Sequence, residues 1–241
     1  MPTDIELLGK KARRQAALAE SGMIPIPHFS ELPSRIEHAC LSPFLSGKEI
    51  EQICRDAAEH AFSSVCVPLP WVETSLGLLS GTSVRVSTVV SFPMGTAPEG
   101  VKIAEARCAL EAGAHEIQVP IAFHRLRNGD RTGLRKEMEE LRRATPGAAL
   151  TFIIETSMLS EEEVVTSVRM AEIARADFVS GGSGFWGATE LGNASLLRCA
   201  APSSMKISAA AGSRNVKALL PLLAAGVDRV STENTLELLT L

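Results

Sequence analysis

Residues 177–185 read D-F-V-S-G-G-S-G-F, a short apolar run that leads directly into a glycine-rich turn. The run 177–180 predicts a buried strand, and Gly181, Gly182 and Gly184 place backbone without side chains at its end. Glycine lets a ligand approach the backbone closely and adopts positive φ angles without strain. The turn therefore predicts either a plain strand-to-helix loop or a ligand site around Ser180 and Ser183.

From residue 36 onward, apolar strand-like runs alternate with helix-period segments. The predicted strands are 36–40, 64–67, 84–92, 116–120, 149–155, 177–180, 205–209 and 229–232. The predicted helices are 48–61, 71–80, 98–113, 131–144, 160–175, 190–199 and 214–225, with a short last helix from about Glu233. This alternation predicts right-handed βαβ units and a parallel sheet.

Eight such units close most simply into a single (β/α)8 TIM barrel, an α/β fold that typically takes about 250 residues. No G-x-G-x-x-G follows the first strand, which disfavours an open doubly wound sheet. The expected organisation is an N-terminal helical extension, 1–33, packed on a TIM-barrel domain, 34–241. The first residues start acidic and turn basic, which favours an amphipathic helix over a signal peptide.

Composition narrows the function classes. The chain has 241 residues, 45% of them apolar, and a formal net charge of −4, which argues against a nucleic-acid surface. No apolar run reaches the length of a membrane span. Five scattered cysteines show no metal-ligand spacing and suggest reduced thiols and a cytoplasmic location. We expect no metal and no cofactor.

In a TIM barrel the active site forms where the strands end, because that face carries the βα loops. Polar residues near the predicted strand ends are therefore the candidates for function. They are Glu37, His38, Cys66, Gln118, His124, Thr151, Glu155, Thr156, Ser180, Ser183, Lys206, Ser208 and Glu233. Because side chains alternate along a strand, Lys206 and Ser208 are expected on one face, with Lys206 further from the mouth.

Seven segments carry a family likeness, in order, from about residue 34 to the C-terminus. They are I-E-H-A-C-L-S-P (36–43), S-S-V-C-V (63–67), V-S-F-P-M-G (90–95), V-K-I-A-E-A-R-C-A-L-E-A-G-A-H-E-I (101–117), F-I-I-E-T-S-M-L-S-E-E-E (152–163), A-D-F-V-S-G-G-S-G-F (176–185) and A-A-G-V-D-R-V-S-T (224–232). Together they resemble the deoxyribose-phosphate aldolase family, class I aldolases on a TIM barrel. The resemblance implies this fold, a small-molecule substrate and, since dimers are common in the family, a homodimer.

The resemblance also implies that the chemistry has changed. The family's Schiff-base lysine falls on Ser180, and two further family lysines fall on Ser208 and Thr151. The family's proton-relay aspartate falls on Gln118, whereas its first-strand aspartate becomes Glu37 and keeps the acid. Serine cannot form an imine, and an amide does not shuttle protons as a carboxylate does. We therefore expect a divergent member that lacks the Schiff-base lysine.

Phosphate recognition is expected to differ as well. The family binds phosphate with glycines after strand seven and serines after strand eight, and here these places read Ala211-Gly212 and Glu233-Asn234. A glutamate repels phosphate, so Glu233 favours an unphosphorylated ligand. Alternatively, Glu233 lies in the first turn of the last helix and serves only that helix.

The leading hypothesis is a repurposed enzyme performing lyase, isomerase or cyclisation chemistry on a small carbonyl or polyhydroxy compound. Glu155 and Glu37 are its acid and base candidates, because two carboxylates in one cavity have their pKa values pushed apart. The residues expected to orient substrate, line the pocket or bind an oxyanion are Cys66, Gln118, Thr151, Ser180, Gly181, Gly182, Ser183, Ser208, Gly212 and Glu233.

Two alternatives stay open. Lys206 is the only lysine on a predicted strand, and burial in the barrel would make it nucleophilic, as a relocated Schiff-base lysine of an aldolase. The simpler role for Lys206 is an ion pair with Glu37 or Glu155. In the second alternative, loss of the family lysines leaves a non-catalytic ligand-binding pseudoenzyme.

Overall fold

The computed structural model describes residues 3–212, 216–233 and 235. Eight parallel strands pair in chain order and close into a barrel, which confirms the predicted TIM-barrel fold. The strands are β1 Ile36–Ala39, β2 Ser64–Cys66, β3 Arg85–Val89, β4 Glu116–Pro120, β5 Ala149–Ile153, β6 Phe178–Ser180, β7 Lys206–Ala210 and β8 Arg229–Thr232. The longest predicted strands, 84–92 and 149–155, end earlier than predicted, at Val89 and Ile153.

Helices follow the strands around the outside of the barrel. They are α1 Asp4–Glu20, α2 Gly47–His60, α3 Val72–Leu78, α4 Glu99–Glu111, α5 Phe123–Arg127, α6 Arg131–Ala144, α7 Glu161–Ile173, α8 Leu191–Ala200 and α9 Val216–Ala224. The sequence does not predict α5. The predicted last helix extends into residues 234 and 236–241, and these, Asn234 among them, lie outside the described residues.

Local signals set the helix ends. Ser160 caps α7: its hydroxyl accepts a hydrogen bond from the Glu163 amide, and the Glu163 carboxylate accepts one from the Ser160 amide. Such a capping box satisfies two of the unpaired donors of the first turn. At the other end of a helix, Gly113 follows α4 with a φ of 89°, the left-handed geometry that glycine adopts without strain.

The N-terminal helix α1 lies against α8 and also contacts α7 and α9. Ala12 and Ala19 on this helix are buried, and Ala19 packs with Ala224 and Ala225 at the end of α9. The Gln15 side chain donates a hydrogen bond to the Ala225 carbonyl. The start of the chain thus covers part of the helical layer rather than either open end of the barrel.

Apolar residues fill the layer between strands and helices, while the barrel interior is largely polar. Val65, Ile117 and Phe152, which face the helices, are fully buried. The alternate strand positions turn inward and carry buried polar side chains, among them Glu37, Ser64, Ser87, Glu116, Gln118, Thr151, Ser180, Ser208 and Arg229. The interior is therefore a hydrogen-bonded core whose charges must be paired.

Three further findings concern the described part of the chain. None of its helices combines the length and apolar character needed to cross a bilayer. All five cysteines are free thiols. Its histidine, cysteine and acidic side chains nowhere gather in a group of three or more that could hold a metal ion.

Candidate active site

A cavity of about 410 Å³ lies at the C-terminal face of the barrel, between the loops that follow β1, β3, β6, β7 and β8. Hydroxyl groups reach it from three of these segments. They include those of Ser42, Ser183 and Ser231. Leu41, Phe92 and Phe185 supply apolar walls. The position agrees with the face at which TIM barrels place their active sites.

The loop between β6 and α8 forms one wall of this cavity. Gly184 and Gly187 pair as an isolated antiparallel bridge, which folds the loop back on itself. The chain then returns to β7, where the Thr189 amide donates to the Ala210 carbonyl at 2.8 Å. The Thr189 hydroxyl accepts from the Ala210 amide at 3.1 Å. The loop is thus folded on itself by backbone pairing and tied to β7 near its far end.

Gly181 is required at the end of β6 because Thr189 packs against its backbone. A Cβ built on Gly181 would lie 2.7 Å from Thr189 Oγ1 and 3.1 Å from Thr189 Cβ, and still closer to Cγ2. Real Cβ atoms essentially never approach another heavy atom within 3.0 Å. The glycine therefore serves close packing of the returning loop.

Glu155 holds the same loop from the β5 side. It follows β5 with a φ of 56° and is buried, with 3% of its surface exposed. Its Oε2 accepts hydrogen bonds from the Ser183 amide at 2.9 Å and from Ser183 Oγ at 2.7 Å. Ser183 lines the cavity, whereas Glu155 lies behind it. The carboxylate thus reaches the cavity through one hydroxyl group.

Ser180, at the end of β6, is buried beside the loop. Its hydroxyl donates to the Gly182 carbonyl at 3.0 Å, and its strand neighbour on β7 is Ser208. Both serines are nearly inaccessible. Neither lines the cavity, so the structure places them one layer below it.

The sequence predicts that the backbone at 181–184 binds an oxyanion, but only some of its amides are available to a ligand. The Gly181 amide donates to the Ser208 carbonyl at 3.0 Å, and the Ser183 amide donates to Glu155. Two of the four amides in this segment are therefore already used by the fold. The cavity hydroxyls are better placed than these two amides to bind an oxygen of a ligand.

Glu37 lies deep in the barrel and is fully buried. Its carboxylate accepts hydrogen bonds from Ser64 and Ser87 at 3.0 Å and from Gln118 Nε2 at 2.9 and 3.0 Å. The Arg229 guanidinium approaches it to 3.4 Å. Glu37 and Glu155 therefore do not share the cavity as the sequence predicts, since Glu37 is bonded within the interior network.

A second buried carboxylate, Glu116, completes that network. Arg229 donates to it through both terminal nitrogens, at 2.6 and 2.7 Å, and the Thr151 hydroxyl donates at 2.6 Å. Burial by itself raises the pKa of Glu116, and the adjacent Arg229 charge reverses the effect, so that this pKa is lowered. Glu116 is thus an ionised partner of Arg229 at neutral pH.

Comparison with known proteins decides the family. No family model matches the chain. It is 32% identical over 206 residues to the deoxyribose-phosphate aldolase of Brevibacillus brevis, across 85% of this chain and 93% of that protein. It is 33% identical over 209 residues to the deoxyribose-phosphate aldolase of Thermococcus gammatolerans, across 85% and 93%. The chain belongs to the deoxyribose-phosphate aldolase family.

Solved structures agree with this assignment. A candidate deoxyribose-phosphate aldolase from Coccidioides immitis superposes with a TM-score of 0.85 at 26% identity, over 96% of each chain. The tetrameric deoxyribose phosphate aldolase of Aeropyrum pernix gives a TM-score of 0.82 at 24% identity, over 99% of this chain and 97% of that one. The latter likeness concerns the fold.

In this member of the aldolase family, Lys206 lies further from the mouth of the barrel than Ser208, as the sequence predicts. It is the first residue of β7, so its side chain emerges at the N-terminal opening of the barrel, opposite the cavity described above. It is exposed, and its ammonium group lies over the Phe178 ring, 5.4 Å from the centroid. The expectation of a buried Lys206 is wrong, and it forms no ion pair with Glu37 or Glu155.

Cys66 also differs from a reactive pocket residue. It is buried in the barrel interior, and its Sγ accepts a weak hydrogen bond from Gln118 Nε2 at 3.7 Å. Burial, reinforced by the Glu37 charge, raises the pKa of its thiol well above the usual value. A thiol in this state is a poor nucleophile.

Gly212 and Glu233 both line the cavity and are exposed. Glu233 is the one ionisable side chain among the described residues of its lining. Beside Glu233, burial raises the pKa of the Cys40 thiol to about 12, with the Glu233 charge adding to the effect.

His38, another predicted candidate, faces the helices and packs edge-on against Phe62. Burial lowers the pKa of its imidazole.

Several residues of the site and of the network below it do not stand out in the sequence. Arg229 and Glu116 belong to the interior network and lie at the starts of their strands, whereas the predicted candidates come mainly from strand ends. Thr189 lies in the loop after β6, and only its contact with Gly181 reveals its role. Phe185 lines the cavity and packs edge-on against Trp186, with ring centroids 5.1 Å apart. The glycine-rich turn was the one available signal for this wall.

Proposed function

We propose that this member of the aldolase family binds a small carbonyl or polyhydroxy compound in the C-terminal cavity and acts on it by general acid–base chemistry without a Schiff base. The observation that carries the proposal is the 2.7 Å hydrogen bond from Ser183 Oγ to the buried Glu155 carboxylate. It joins a proton acceptor to the cavity wall. The described residues lining the cavity include no lysine to form an imine.

The geometry supports a proton relay. When the hydroxyl proton of Ser183 passes to Glu155, the serine oxygen accepts a proton from a carbon or hydroxyl group of the bound substrate. The reverse transfer returns a proton to the product, so the protein ends unchanged. Glu233, exposed at another wall, is the second carboxylate that replaces the predicted Glu37 in this role.

The lining also supports an uncharged substrate. Ser42 and Ser231 bring hydroxyl groups that bind substrate oxygens, and the volume of about 410 Å³ suits a small molecule. Among the described residues the lining has one acid and no lysine, arginine or histidine. A phosphate group would meet the Glu233 carboxylate without a described counter-charge.

Turnover of paired substrates tests this proposal. Unphosphorylated aldehydes, ketones and sugars are compared with their phosphorylated counterparts, and we expect turnover of the unphosphorylated set. Glu155→Gln should lower kcat by about 10²- to 10⁴-fold, the range for loss of a general base, while its side-chain oxygen still accepts from the Ser183 amide. Ser183→Ala should have a similar effect, and Ser80→Ala should have none, because Ser80 is exposed and does not line the cavity.

Borohydride trapping separates the mechanisms. We expect no covalent adduct when substrate and borohydride are added together. A mass adduct on any lysine would contradict the proposal and return the protein to Schiff-base chemistry. Wild-type activity of Glu155→Gln would exclude the relay.

Ligand binding without catalysis is the second candidate, because Glu37 is fully bonded inside the barrel and Glu155 supports a loop. In that case a ligand raises Tm, neither the wild type nor Glu155→Gln turns over any substrate, and Glu155→Gln lowers Tm.

Homodimerisation is proposed from the family resemblance alone, and light scattering of the purified protein tests it.

A further inference from the structure

A second and larger cavity, about 800 Å³, opens at the N-terminal end of the barrel. It is formed by residues at the starts of the strands and by the loops that precede them. This is the end of the barrel away from the loops that form the C-terminal cavity. Phe178, Glu116 and Arg229 of the barrel interior form its floor.

The acids of this cavity are mostly neutralised by the fold. Glu116 is paired with Arg229. Asp177 accepts from Arg142 at 3.0 Å and from the Leu150 amide at 2.8 Å. Asp228 likewise accepts from the amide of Ile207 at 2.8 Å and has Arg198 at 3.7 Å. Of the four acidic residues in the lining, only Glu172 has no such partner among the described residues.

The cations of this cavity are left largely uncompensated. Besides Arg229, its lining includes Arg35, Arg85, Arg175 and Lys206, and none of these four lies within 4 Å of a described carboxylate. The Arg35 and Arg85 guanidinium groups donate only to backbone carbonyls, those of Asp228 at 3.5 Å and His115 at 2.9 Å. Four cations facing one unpaired acid give the cavity an excess of positive charge in a chain of net charge −4.

Phe178 adds an aromatic surface to the floor. The Lys206 ammonium lies 5.4 Å from its ring centroid, and the Arg229 guanidinium lies 4.4 Å from it. Both cations interact favourably with the ring but remain positively charged. The ring therefore fixes the position of Lys206 without supplying a counter-charge.

We propose that this N-terminal cavity is a binding site for a small polyanion, a molecule that carries a chain of two or more phosphate groups. Three guanidinium groups and one ammonium group are the donors that phosphate chains require, since the planar fork of arginine matches phosphate oxygens. The volume accommodates an inorganic polyphosphate or a nucleotide. The site is separate from the C-terminal cavity and independent of the reaction performed there.

Calorimetric titration of the full chain with inorganic tripolyphosphate tests the site, and ATP is a second probe that reveals a contribution from the base. We expect binding at low ionic strength, weaker binding as salt is added, and an increase in Tm with either probe. Lys206→Met keeps the aliphatic stem over Phe178 and removes the charge. It should weaken tripolyphosphate binding about tenfold, the loss expected for one charge-assisted hydrogen bond.

Matched controls distinguish a site from general attraction. Lys136→Met removes an exposed lysine from α6, outside the cavity, and should leave the affinity unchanged. Arg85→Gln should weaken binding, whereas Arg135→Gln, on the outer surface of α6, should not. Absence of binding by the wild type, or equal losses in Lys206→Met and Lys136→Met, would overturn the proposal. Ser183→Ala should not change the affinity, because Ser183 lies in the other cavity.

Discussion

At the scale of single residues, the contact between Gly181 and Thr189 determines the shape of the loop that walls the candidate active site. Gly181 does not adopt a positive φ, so its requirement for glycine is purely steric. The sequence predicts a ligand-accessible backbone at this position. The structure shows instead that the space beside Gly181 is occupied by the Thr189 side chain. A glycine-rich sequence alone does not reveal whether a ligand or another part of the chain approaches it.

Gly181→Ala should therefore destabilise the protein by about 1–3 kcal/mol, the usual cost of forcing an extra carbon into a packed position. Urea unfolding measures this loss. Gly100→Ala is the control, because a Cβ at Gly100, in the first turn of α4, meets nothing within 4 Å. That change should be neutral or stabilising by up to about 1 kcal/mol.

A second variant checks the cause. Thr189→Ser removes the methyl group nearest to the new Cβ and keeps the hydroxyl that accepts from the Ala210 amide. We expect Thr189→Ser to recover part of the stability lost in Gly181→Ala, which a double-mutant cycle measures. Strictly additive effects of the two changes would show that this contact is not the source of the loss.

At the scale of the elements, a buried ion pair joins α4 and α6. Lys102 is completely buried, and its ammonium group donates to Glu137 Oε1 at 2.7 Å. Arg125, on the short helix α5, lies within 3.3 Å of the other carboxylate oxygen. The three helices on this side of the barrel are thus joined by charges as well as by apolar contacts.

Lys102→Met should cost about 3–5 kcal/mol of unfolding free energy, because it leaves a buried carboxylate short of its partner. The double variant Lys102→Met/Glu137→Leu should recover most of the loss, since neither charge then remains buried. Lys136→Met, an exposed neighbour on α6, should change the unfolding free energy by less than about 0.5 kcal/mol. A double variant no more stable than the single one would assign the loss to packing.

The sequence predicts some helices and strands more accurately than others, for identifiable reasons. Capping by Ser160 and Glu163 places the start of α7 within a residue, because the signal is local. Helix α5 has five residues, too few to show a helical period. The predicted strand 149–155 ends instead at Ile153 because Glu155 adopts a left-handed conformation, which an apolar run does not indicate.

At the scale of the whole molecule, the sequence predicts the barrel and shows which positions of a strand share a face, but not the depth of each residue within the barrel. Glu37 and Gln118 both point inward as expected, yet they lie below the cavity in the interior network. Depth is set by the tilt and stagger of all eight strands together, which no single strand encodes. For the same reason, the pairing of Glu116 with Arg229, which are 113 positions apart, is visible only in the closed barrel.

This central pair should govern the response of the barrel to acid. The pKa of Glu116 is lowered in the folded state by Arg229, against the opposing effect of burial. A carboxyl group with a lowered folded-state pKa contributes stability that is present above its unfolded pKa and is lost as pH falls. Arg229→Met should therefore cost about 3–5 kcal/mol at pH 7, because Glu116 and Glu37 both lose their buried counter-charge.

The pH dependence of this loss separates charge from packing. Without Arg229, burial raises the pKa of Glu116, so lowering the pH protonates this carboxyl group in the folded variant. The stability of the variant relative to the wild type therefore increases as pH falls. Urea unfolding should show a difference between the two proteins that shrinks from pH 7 to about pH 5. Arg143→Met, which breaks the exposed pair with Glu140, should cost less than about 1 kcal/mol at either pH. A loss in Arg229→Met that did not vary with pH would indicate that the arginine stabilises the barrel by filling space, and the paired charges at its centre would then add nothing to the fold.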